Sequence, residues 1–223
     1  MMWTASATRR LGTAAAIVTL AILPLSGCLY AQIPAADPSA APSPGTETDG
    51  TDAPEGGTPG TTLTFEEGLD LDPDTYIEWG DGFIADEQWE TISPDDGNGG
   101  WTYGTADGTC TVRFWQGHMT DVPVVDGDDS ASSDAILGVL LETPTADITP
   151  VATTGEFSYM AGGNGGVEMR QVSAVEGSRS WLMAARAFTQ TGVGLYTIVD
   201  CMANDAEKIM DAVTDANAVV VTP

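Results

Sequence analysis

Positive charge is what this chain has least of. Seven Lys and Arg stand against 33 Asp and Glu in 223 residues, a formal net charge of −26. Lys208 is the single lysine and His118 the single histidine. So few cations exclude nucleic-acid binding, which needs a basic face to neutralise phosphates. They equally exclude docking on anionic lipid by charge, the work of polybasic segments. Cationic partners, divalent ions and plain solubility are what an acidic surface favours. Complete catalytic motifs are missing too: there is no Gly-x-Ser-x-Gly elbow, no His-Glu-x-x-His pair and no Walker loop. No cofactor is expected. Long apolar runs are limited to residues 11–25, too short to span a bilayer, which takes about 20 apolar residues.

What is present begins with that run. Arg9 and Arg10 precede it, and no acidic residue occurs before Asp37. A charged start, a short apolar stretch and small residues at its end read as a signal peptide, here residues 1–27. Leu25-Ser26-Gly27-Cys28 closes it and resembles the lipobox of bacterial lipoproteins. The resemblance implies diacylglyceryl transfer to the Cys28 thiol, cleavage before Cys28 and anchoring on the extracytoplasmic face of the cell membrane. Two acyl chains give stable attachment at ~0.8 kcal/mol per buried CH₂, whereas one gives only marginal binding. With Arg9 and Arg10 removed, five cations remain against 33 anions. The preference for Arg over Lys, with abundant Ala, Gly, Asp and Thr, is similar to chains of high-GC actinobacteria.

Residues 28–62 comprise the lipidated cysteine and a stretch of Pro, Ala, Ser, Gly, Thr and acid with almost nothing to bury. Such a segment does not offset its chain entropy and is expected to be disordered. As a coil it spans roughly 30 Å, enough to hold a domain clear of the membrane. Residues 63–223 are left for one domain, a length that buries roughly 70% of its unfolded surface. Its two cysteines, Cys110 and Cys201, read as a disulfide in an oxidising compartment.

Within the domain, 83–92 and 98–103 look extended. Ala106-Asp107-Gly108 is a hairpin signal. Residues 109–116 alternate, with Cys110, Val112 and Phe114 on one face and Thr111, Arg113 and Trp115 on the other. A helix is expected over 130–141, with Asp128, Asp129 and Asp134 near its positive amino end and an apolar stripe of Ile136, Leu137, Leu140 and Leu141. Strands follow at 156–160, 167–175, 180–189 and 193–200, separated by Gly-rich or polar turns. Asn204 and Glu207 form a capping-box pattern for a second helix carrying Ile209, Met210 and Val213. The expected class is α+β: an antiparallel sheet with two helices packed on it. This order of elements resembles the PsbP-like fold found in envelope lipoproteins, which implies an α/β sandwich.

Four sets of residues are candidates for chemistry. Asp70, Asp72, Asp74, Glu78 and Asp81 fall at positions 1, 3, 5, 9 and 12 of an EF-hand-like calcium loop, although Thr75 stands where that loop needs glycine. A solvated acidic loop is the competing reading. Asp126, Asp128 and Asp129 form a second cluster, which helix N-terminal charge also explains. His118, with Asp121 as its orienter, is the one place for general-base chemistry; a surface histidine at a strand end is the simpler account. Five tryptophans lie in the domain, and Trp101, Tyr103 and Trp115 on one hairpin are candidates for an aromatic sugar platform, against ordinary core and cross-strand packing. The expectation that follows is a membrane-anchored, non-enzymatic binding module for an envelope protein or cell-wall component. A small-ligand or calcium-dependent carbohydrate binder stands second and a hydrolase third.

Overall fold

The computed structural model describes residues 62–95, 97–160, 165–203 and 205–223. The signal, Cys28, the linker before Thr62 and the capping residue Asn204 lie outside them.

Among the described residues nine strands form one sheet in the order β1-β9-β5-β6-β7-β8-β4-β3-β2. The strands are β1 (Tyr76–Trp79), β2 (Trp89–Ser93), β3 (Gly100–Thr105), β4 (Cys110–His118), β5 (Thr153–Met160), β6 (Gly166–Glu176), β7 (Arg179–Phe188), β8 (Val193–Cys201) and β9 (Val219–Thr222). All pairings are antiparallel except β5 with β9. Four helices accompany them: α1 (Phe65–Gly68), α2 (Asp129–Leu140), α3 (Thr145–Ile148) and α4 (Ala206–Ala216). The α+β class therefore holds, with α2 and α4 as the two long helices. The count of two is corrected to four by the single turns α1 and α3. α1 forms because Thr64 and Glu67 make a reciprocal capping box.

The hairpin β3–β4 turns at Gly108, whose φ of 70° suits glycine. Asp107 fastens that turn, accepting from the Thr105 hydroxyl at 2.6 Å and from the Thr109 amide and hydroxyl at 3.0 and 2.8 Å. These bonds hold its carboxyl low, at about 2. Alternation along β4 then buries Cys110, Val112 and Phe114 and leaves Thr111 and Arg113 exposed. Cys110 is directly opposite Cys201 on β8, the two Cα atoms are 4.1 Å apart, and a disulfide joins them.

The stretch expected to be extended over 83–92 is corrected: only Trp89–Ser93 is strand. Turns precede it, with the Asp86 amide bonded to the Phe83 carbonyl and Trp89 to Asp86. They tuck Phe83 into the core, stacked on Trp89 with ring centres 4.0 Å apart. β1 and β9 were not expected, and they extend the sheet beyond β5. β1 then docks back on β4, with five strands between them in the sheet order. The Trp79 amide donates to Gln116 Oε1 (2.7 Å) and its indole N–H to the Trp115 carbonyl (3.1 Å). The sheet curls, and the Trp79 amide on its β1 edge is bonded by a side chain of β4.

Two apolar cores result, one on each face. The larger joins Trp79, Phe83, Phe114, Phe157, Met169 and Val199 with Met210 and Val213 of α4. The smaller joins Val172, Ala185, Ala187 and Tyr196 with Ile136 and Leu137 of α2 and Ile148 of α3. Parity along β7 separates them: Leu182 and Ala184 belong to the first, Ala185 and Ala187 to the second.

Candidate binding clefts around Trp115 and His118

The acidic stretch 70–81 does not fold as a calcium loop. Asp72 accepts from the Asp74 amide in a local turn (2.9 Å), and β1 begins at Tyr76. Glu78 accepts from the Tyr76 hydroxyl (2.9 Å). Asp81 is held by the Tyr103 hydroxyl, 2.7 and 2.9 Å from its two oxygens. Burial, reinforced by that bond, raises the Tyr103 pKa. Among the described residues no three His, Cys, Asp or Glu side chains converge as metal ligands. Of the candidates only Glu78 lies on β1; Asp72 and Asp74 belong to the turn before it, and Asp81, beyond it, is engaged by Tyr103.

The aromatic trio is divided. Trp101 pairs with Phe114 across β3–β4 and stacks on it at 5.5 Å, while Tyr103, 3% exposed, packs edge-on against Phe83. Trp115 points to the other face and stacks on Tyr196 at 5.3 Å, its indole N–H bonded to the Asn98 carbonyl. A platform of all three is not formed, since residues opposite Phe114 and Trp115 belong to opposite faces. Tyr103 is core and Trp101, partly buried, packs against that core; Trp115 borders open space.

The aspartates at the start of α2 have divergent roles. Asp128 is the N-cap and accepts from the Ala131 amide (2.8 Å). Asp126 is exposed. Asp129 is fully buried: one oxygen meets Arg186 at 3.2 Å and the other accepts from the Thr189 amide and hydroxyl. Arg186, itself 0% exposed, also donates to the carbonyls of Thr64 and Glu168. Phe65 and Phe188 lie 4.3 and 4.8 Å from its guanidinium carbon. Burial pulls its pKa down to about 10, with Asp129 and Glu168 opposing. Nearby, Arg170 reaches Asp134 at 2.6 Å and the Ala152 carbonyl at 3.2 Å. Sequence reasoning missed both ion pairs. The signal for the first was an arginine within Ala184-Ala185-Arg186-Ala187-Phe188: a cation in an apolar strand requires a buried partner.

His118 ends β4, exposed, where two clefts meet. One, of about 630 Å³, lies against the Trp115–His118 end of β4 and is lined also by Asp74, Tyr76, Asp95 and the glycine turn at 97–99. Asp95 shapes that turn by accepting from the amides of Gly97 and Gly99. The other is a slot of about 200 Å³ between α2 and the sheet. Trp115, Met119, Val122, Ile136, Leu140 and Tyr196 line it, with His118, Thr120 and Asp121 among its polar groups. Burial raises the Tyr196 pKa and Arg113 opposes the shift.

No protein-family model matches this chain, and no curated protein matches it. Among the described residues no helix is long and apolar enough to cross a membrane.

Proposed function

We propose that the protein is a lipoprotein held by acylated Cys28 on the extracytoplasmic face of the cell membrane, and that its folded region is a non-catalytic module binding an envelope component. The anchor rests on the basic start, the apolar run and Leu25-Ser26-Gly27-Cys28. One geometric observation carries the binding site: the larger cleft, of mixed polar and apolar lining, and the apolar slot share Trp115 and His118. Recognition sites typically combine an apolar concavity with a few convergent polar groups. A second reading, a carbohydrate binder, draws on the larger cleft, where Asp74, Asp95 and Gln116 supply hydroxyl-bonding groups beside an indole.

Two experiments test this. Cys28→Ser is expected to release the protein or leave an uncut precursor; a processed chain that stays membrane-bound contradicts the anchor. A photo-crosslinking residue at Thr120 in intact cells is expected to give an adduct that one at Asp211 on α4 does not. Equal adducts, or none from Thr120, contradict the site.

A further inference from the structure

We infer that the slot beneath α2 seats a single apolar side chain of a partner polypeptide, and that this anchor residue is flanked by lysine or arginine. The inference rests on the binding reading above and names the partner's chemistry.

Size comes first. At about 200 Å³ the slot exceeds an apolar cavity of ~150 Å³ that admits benzene. It falls short of the ~300–1,000 Å³ that holds a drug-sized ligand. One large side chain fits that interval. Its aromatic floor is preorganised, because Trp115 is stacked on Tyr196 and its N–H is already bonded to the Asn98 carbonyl. Met119 at the wall supplies an adaptable surface. A central pocket that desolvates one anchor is the form a protein–protein hot spot takes.

Apolar surface continues beyond the slot, which favours a polypeptide over a small molecule. Val139, which lines the slot at its rim, is 48% exposed. Val124 and Val125, on the loop leading from Val122 to the N-cap of α2, are 40% and 46% exposed.

Charge selects the flanks. Asp121, Asp126 and Asp128 on the same loop are exposed, and the whole chain carries −26. Among the described residues the arginines on this side are Arg113, two residues before Trp115, and Arg170, which is tied to Asp134. A cationic segment is steered in and an acidic one repelled.

The test uses the full chain in nanodiscs of zwitterionic lipid, with empty nanodiscs as the blank. Calorimetry compares an acetylated, amidated Lys-Lys-Trp-Lys-Lys peptide with two controls: Gly for the central Trp, and Glu for every Lys. The expected result is binding at least tenfold tighter than either control. Val139→Trp, which places an indole over the slot, is expected to weaken it tenfold, and Asp121→Lys threefold or more. No binding at millimolar peptide overturns the inference. A Glu-flanked peptide that binds as well overturns the charge assignment and leaves the site standing. Unchanged affinity in Val139→Trp overturns the slot. An adduct from Thr120 in cells alongside either failure preserves the binding reading, so the two are separable.

Discussion

The two faces of the curled sheet are closed by different means. On one, Trp79, Phe83, Phe114 and Phe157 interlock edge to face, α4 covers them, and the Cys110–Cys201 bond ties β4 to β8. On the other, α2 is fastened at its amino half by Asp134–Arg170 and, at its first residue, by Asp129 reaching Arg186, whose place on β7 has the parity of the first face; the last turn of α2 stands over a slot. Apolar packing seals a face and leaves few groups with which to recognise anything. Polar fastening holds the amino half of α2, Ile136 and Leu137 pack its middle, and Val139 in the last turn is left exposed for contact. The site follows from that division.

Breaking the polar fastening gives the largest expected effect. Asp129→Asn leaves Arg186 charged, buried and without its counter-ion, and breaking such a pair costs about 3–5 kcal/mol. Asp129→Asn combined with Arg186→Met is expected to recover part of the loss. Denaturant unfolding of the two variants checks this, and equal losses contradict the assignment of charge as the cause. The covalent fastening comes next. Its bond spans a sequence separation of 91, for which the chain-entropy model gives ~4.5 kcal/mol as a ceiling and ~2–4 is typical. Cys110→Ala/Cys201→Ala is expected to melt well below wild type while the aromatic core still folds at low temperature.

Those large effects fall on groups of unequal legibility. The bond followed from two cysteines in a domain read as exported, and the hairpin at Gly108 followed from Asp107-Gly108 and the alternation after it. That same hairpin register shows why Trp101 and Trp115 part: pairing across 106–109 sets Trp101 opposite Phe114, so the next residue faces away. β1 and β9 escaped detection because four-residue strands carry too little periodicity and depend on pairing with each other, more than a hundred residues apart in the chain. The helix stripe was partly misread for an electrostatic reason. Asp129, Ser132, Ser133 and Asp134 are all buried on α2, which polarity alone does not suggest. The slot was invisible, since it depends on how far α2 sits from β4 and β8.

Smaller effects sharpen the contrast. Val139→Ala, at an exposed position over the slot, is expected to change stability by no more than about 0.5 kcal/mol; a loss above 2 kcal/mol shows that the carboxyl half of α2 is closed packing after all. Asp107 gives the smallest. Its folded pKa of about 2 lies below the ordinary 3.8, so its contribution is complete above about pH 4 and is lost as pH falls through 2. An NMR titration is expected to place its midpoint near 2, and Asp107→Asn to remove that part of the acid sensitivity. A midpoint near 4 contradicts the three bonds drawn to it.

The most direct measurement is the melting temperature of the full chain in nanodiscs with and without saturating indole, an uncharged copy of the proposed anchor. A ligand that binds only the folded state raises that temperature by mass action. The account predicts a rise in wild type that is absent in Val139→Trp. No rise in wild type, or the same rise in both, contradicts an open slot between α2 and Trp115.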